Sequence, residues 1–259
     1  MKKFRYSYQS VSRFSKPVIW HSYLLRVVPV QNAIQRVKEH QLILNPAHET
    51  AQGTDCWGNQ LQYGTILTPH DGFTFMSNGV VELADHYCIP DEAEPTLFTE
   101  PTRLTPLSEE MRIFLQGRKL TGSAQKKALI ISHRLKKVMN YQPCSTRNDT
   151  TASEAFAQHK GVCQDFAHIF IALCRASDIP ARYVCGLMAG EGVTHAWTEI
   201  YNKRKKCWYG IDPTHDRQIE TGYIKIAHGR DVNDCPVNRG NYRGYTLEET
   251  EVRVIVEEI

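Results

Sequence analysis

Gly161-Val162-Cys163-Gln164-Asp165-Phe166-Ala167-His168 decides how the second half of this chain is read. Glycine breaks whatever precedes it, and a helical period begins at Cys163, with Phe166, Phe170 and Leu173 predicted inward. That helix is expected to end at Asp178-Ile179-Pro180. Just upstream, Thr151-Ala152-Ser153-Glu154 has the spacing of a capping box, in which threonine and glutamate satisfy each other's free amides; its short helix would run to His159. Downstream the period changes to two. Segments 182–186, 195–201 and 207–212, separated by Gly- or Lys-rich turns, predict consecutive antiparallel strands. Moving further towards the N-terminus, Ser123 opens a helix whose Ala128, Ile131, Leu135 and Val138 share a face, and Ser108 caps a shorter one.

The first eighty residues have a different grammar. Phe4, Tyr6 and Tyr8 alternate, residues 22–28 are β-prone, Trp57-Gly58-Asn59-Gln60 supplies a turn, and no stretch asks for a helix. An antiparallel β-sandwich is expected over residues 1–90. Pro90, Pro95, Pro101 and Pro106 then mark residues 91–106 as a linker, since no core helix or central strand accepts prolines so spaced. The helices and strands of residues 107–259, including a last strand at 251–256, make up the second domain. The fold class expected is α+β.

Composition narrows the functions. Thirty-one Lys+Arg against 28 Asp+Glu leave a net charge of +3, and the densest basic run, Lys203 to Lys206, reads as a solvated turn. No nucleic-acid partner is therefore expected. No apolar stretch has the ~18 residues that a membrane span requires, so no membrane partner is expected. The N-terminal lysines have no apolar segment behind them, which gives no secretory signal. The eight cysteines include no Cys-x-x-Cys pair. Reduced thiols in a cytoplasmic protein and no metal or organic cofactor are the expectation.

Three residues combine into a chemistry. Cys163 at a helix start would feel partial positive charge and free backbone amides, which favour a thiolate and offer donors to an oxyanion. His195 at the start of one strand and Asp212 at the end of the next can meet across a hairpin, the carboxylate orienting the ring. Structural roles are expected for the neighbouring residues: His168 in packing, His215 in a loop, Trp197 and Trp208 in the core, Asp165 in a salt link with Arg182, and Arg230 with Asp231 in an internal ion pair. Gln158 and Gln164 are candidates for a second oxyanion donor.

These segments, with Ile179-Pro180-Ala181-Arg182-Tyr183-Val184-Cys185-Gly186, His195-Ala196-Trp197-Thr198-Glu199-Ile200-Tyr201 and Asp212-Pro213-Thr214, resemble the bacterial transglutaminase-like proteins, often labelled cysteine proteases. Asp55-Cys56-Trp57-Gly58-Asn59, Leu25-Arg26, Gly229-Arg230-Asp231, Pro236, Arg239-Gly240 and Gly244 extend the likeness over most of the chain. The resemblance implies a papain-like core, with Cys163 as nucleophile, His195 as base and Asp212 as orienting carboxylate. It also implies a peptide or protein substrate attacked at an amide bond through a thioester. Transglutaminase or deamidase action on protein glutamine is the alternative, and a catalytically silent binding or scaffold module the third reading. Hydrolysis is expected to outrun amine transfer, because the loop Met188 to Val193 offers one carboxylate, Glu191, and no aromatic wall for an amine.

Overall fold

The computed structural model describes residues 1–93, 95–117 and 120–259. The N-terminal region contributes β1 (Lys2–Leu25), β2 (Gln35–Asn45), β3 (Ala51–Thr54), β4 (Gln60–Ile66), β5 (His70–Leu83) and the two-residue β6 (Ile89–Pro90). Helices α1 (Glu109–Gln116) and α2 (Ala124–Val138), β7 (Asn140–Tyr141), α3 (Ala152–Gln158), β8 (Lys160–Gly161) and α4 (Cys163–Arg175) follow. The chain then runs through β9 (Ala181–Met188), β10 (Thr194–Asn202), β11 (Cys207–Asp212), β12 (Arg217–Gln218), β13 (Tyr223–Gly229), β14 (Asn238–Arg243) and β15 (Glu248–Glu258).

β1 organises the first sheet. Its alternation buries Phe4, Tyr6, Tyr8, Ser10, Ser12 and Phe14 on one face, as a half-solvated antiparallel strand must. The first half of β1 lies between β5 and β15; after a register shift between Arg13 and Val18, the second half lies between β4 and β14. One strand thus serves both parts of a curled sheet. β14 and β15, which lie within the expected second domain at 107–259, pair with β1. The physical reason is that β1, paired with β5 and β4 alone, would expose a row of unsatisfied amides and carbonyls along its other edge.

The second sheet has the order β12-β11-β10-β9-β13, with β6 also pairing β11. Every residue of β9 and β11 is buried, as is all of β10 after Thr194. α4 packs on β9 and β10 and is buried on all sides from Asp165 to Arg175, enclosed by α2 and α3. The Ser108, Ser123 and Thr151–Glu154 caps form as the sequence predicts.

Both sheets share a core. A single cluster of buried side chains runs from Phe4, Tyr6 and Phe75 to Phe166, Leu187 and Ile211. The N-terminal region also covers the free edge of β13. Gln35 accepts from the Lys225 amide and donates to the Lys225 carbonyl, and Asn59 does the same for His228, all at 2.8–2.9 Å. Two buried side-chain amides stand in for a missing neighbouring strand. The proline-rich segment is a packed strap rather than a free connector. Ile89 and Pro90 pair with β11, Phe98 packs on Trp208, and Leu104 and Thr105 are buried.

Candidate active site

Cys163 is the first residue of α4. The capping position before it holds Val162, whose side chain can accept nothing, so the first-turn amides receive no oxygen from the usual source. Asp165 reaches back instead to the Val162 amide, 2.8 Å away, and accepts from the Thr146 hydroxyl at 2.6 Å. Burial raises the pKa of Asp165, and these hydrogen bonds oppose the shift. Gly161 makes the turn possible: a Cβ there would stand 2.6 Å from the Asp165 side chain. The strand pair β7 and β8 brings Tyr141 opposite Gly161.

His195 lies in β10 opposite Gly186 of β9, where a Cβ would meet the Ile224 carbonyl at 2.1 Å. Its Nε2 is 2.9 Å from Asp212 Oδ2. That contact leaves Nδ1 for Cys163, with which the ring also shares a hydrogen bond. Burial alone would lower the His195 pKa; the bonds to Asp212 and Cys163 outweigh it and raise the value to about 10.

Asp212 is fully buried and surrounded by donors. Oδ1 accepts from the Thr214 and His215 amides, while Oδ2 takes the Tyr223 hydroxyl at 2.7 Å, His215 Nδ1 at 2.8 Å and His195. Burial raises its pKa, but the bonds to His195, His215 and Tyr223 prevail and hold it well below the carboxylate range. The ligand atoms of His195, Asp212 and His215 lie within 4.8 Å of one another, a spacing that a divalent cation could use. Both histidines point at the same oxygen, however, so a cation would have to displace the protons that now bridge them.

The three residues expected from the sequence therefore come together: Cys163 beside His195, and His195 on Asp212. Other expectations are corrected. Asp165 does not pair with Arg182, which binds Glu199 Oε2 at 2.5 Å and lies over the Trp208 ring. Lys225 completes that buried cluster, and the two cations hold Glu199 down at about 2 despite its burial. Arg230 pairs with Asp234 rather than Asp231. Gln164 donates to the Asn148 carbonyl, and Gln158 is exposed at the end of α3. Neither therefore takes the place of an oxyanion donor. His168, Trp197 and Trp208 are buried in packing as expected.

His215 is not a loop residue alone, because it joins Asp212 to Glu191, 3.2 Å from its Nε2. Tyr223 and Tyr141 escaped the sequence reading, which had Glu191 only as the single carboxylate of its loop. The Asp-x-x-His spacing of Asp212 and His215 is the local signal that could have joined those two. Tyr141 is 46% exposed. Partial burial, followed by the charges of Cys163 and Glu191, raises its pKa.

Known proteins share the fold. The family described as the transglutaminase-like superfamily matches residues 116–213, and the bacterial transglutaminase-like N-terminal region matches residues 4–82. A solved Cytophaga hutchinsonii protein, a candidate cysteine protease, superimposes with a TM-score of 0.83 at 22% identity over 100% of this chain and 91% of its own. An uncharacterized protein of Mycobacterium leprae is 28% identical over 90% of this chain and 89% of its own. A protein-glutamine gamma-glutamyltransferase of Pseudomonas aeruginosa is 29% identical over 40% of this chain and 18% of its own. Among the described residues no helix is long and apolar enough to cross a membrane. The chain belongs to the transglutaminase-like superfamily, its core preceded by the bacterial N-terminal region.

Proposed function

We propose that this protein is a cysteine-dependent amide-bond hydrolase in which Cys163, His195 and Asp212 form a catalytic triad. The observation that carries the reading is the connected line from the Cys163 thiol through His195 to the buried, fully hydrogen-bonded Asp212. Cys163 passes its proton to His195 Nδ1 and attacks the substrate carbonyl. The oxyanion develops at the start of α4, where the Cys163 and Gln164 amides lack a side-chain cap. His195 returns the proton to the leaving amine, and the C–N bond breaks to leave a thioester. Water then attacks with His195 as base, the C–S bond breaks, and acid and free thiol are released. Asp212 fixes the ring throughout and stabilises the imidazolium. The test is turnover of a peptide library by the wild type and by Cys163→Ala. Hydrolysis by the wild type with none by the variant is expected; equal turnover would refute the assignment.

A second reading, acyl transfer to a primary amine, has its own support. Tyr141, from a strand distant in sequence, comes opposite Gly161, two residues before Cys163, and the charges of Cys163 and Glu191 both act on its hydroxyl. A phenol face and a carboxylate suit an ammonium group. A glutamine peptide supplied with a labelled amine separates the two: incorporation exceeding acid release would make transfer the main reaction.

A further inference from the structure

We propose that Cys88 and Cys207 form a dithiol–disulfide couple that fastens the proline-rich strap to β11. The Cys88 and Cys207 sulfurs lie 3.0 Å apart, and the residues are 119 positions apart in the chain. A disulfide bond measures about 2.05 Å, so closure requires a movement on the order of 1 Å. The strand register makes the approach natural. Ile89 pairs with Trp208, which sets Cys88 beside the face of β11 that carries Cys207 and Tyr209; the Tyr209 side chain shares hydrogen bonds with both sulfurs.

The two thiols differ in access, which sets the order of events. Cys88 is half-buried, whereas Cys207 is 3% exposed and burial raises its pKa. With a small-molecule disulfide as oxidant, Cys88 gives up its proton and attacks one oxidant sulfur, releasing one small thiol. Cys207 then gives up its proton and attacks the Cys88 sulfur of the mixed disulfide, releasing the second. The protein pair loses two electrons and the oxidant gains them. The new bond would tie down a segment that already holds the core by polar contacts: Tyr87 donates to Glu199, and Trp208 Nε1 to Asp91 at 2.9 Å. Since β11 ends at Asp212, the fastened strand is the one that carries the orienting carboxylate.

The full-length protein is incubated with oxidised glutathione, its remaining thiols are alkylated, and the digest is mapped by mass spectrometry. A linked peptide joining Cys88 to Cys207, lost on reduction and in Cys88→Ser, is expected. Oxidation should raise the melting temperature by several degrees in the wild type but not in Cys88→Ser. Free Cys88 and Cys207 after oxidation would overturn the proposal, as would a glutathione adduct that persists on Cys88. So would a bridge joining the buried pair Cys185 and Cys235 in their place.

Discussion

β1 and β9 follow opposite rules. β1 alternates between core and solvent along most of its 24 residues, whereas β9 is buried at all eight. The alternating strand announces its register, because a one-residue slip would turn every apolar side chain outward. The uniformly buried strand has no such signal, and its place comes from what covers it: α4 on one side, the strap and curled sheet elsewhere. The β1 region is therefore legible but chemically quiet, while the β9 region needs the rest of the chain to cover it and carries the reactive groups. Two of the side-chain amides that cover it, Gln35 and Asn59, come from the quiet region.

The most severe way to break this division is to remove the first region. A fragment starting near Leu104 loses β1, the partner of β14 and β15, together with the cover on β13. It is expected not to fold; a cooperative unfolding transition and selective alkylation of Cys163 in that fragment would show the core to be self-sufficient. Next in size is the chemistry of the second region. His195→Ala and Cys163→Ala should each lower kcat by about 10^4-fold or more with an unchanged circular dichroism spectrum. Wild-type activity in His195→Ala would place the base elsewhere.

Asp212→Asn sharpens the comparison through pH. It should lower kcat by roughly 10^2- to 10^4-fold and bring the His195 pKa down from about 10, read by imidazole NMR titration. The sign follows from linkage: a folded value raised above the unfolded one stabilises the protein fully below about 6.5, and this is lost as pH rises through about 10. The part of that loss that Asp212 causes should shrink in the variant; an unchanged His195 titration would show that Asp212 does not control the ring.

Smaller effects probe the seam between the regions. Asn59→Ala leaves a buried amide and carbonyl of His228 without partners and should destabilise by about 1–3 kcal/mol in urea unfolding, with kcat nearly unchanged. A large loss of activity at constant stability would mean that the N-terminal region shapes the site directly. The smallest change is expected for Glu191→Gln, which should reduce labelled-amine incorporation several-fold relative to hydrolysis. Equal ratios in wild type and variant would remove Glu191 from amine recognition.

Local signals made much of this legible. The three helix caps, the glycine ahead of Cys163 and the strands carrying His195 and Asp212 each depend on side-chain chemistry within a few residues, so their spacing survives in one dimension. Tyr223 could not be read this way, because its hydroxyl reaches Asp212 only after β13 pairs with β9. The same holds for Tyr141, which comes opposite Gly161 only through a two-residue parallel pairing. Arg182 was matched with Asp165 on charge alone, while the nearest buried carboxylate across the β9–β10 ladder is Glu199, directly opposite it.

By itself the sequence determined the helix carrying Cys163, the hairpin that joins His195 to Asp212, and the alternating face of β1, since periodicity and capping are local properties of the chain. Tertiary structure decided the rest: the return of β14 and β15 to β1, the cover on β13, the ring of donors around Asp212 and the pairing of Tyr141 with Gly161. These depend on pairing between segments far apart in the chain, driven by unsatisfied strand edges and buried polar groups, and such demands become visible only when the backbone has closed around them.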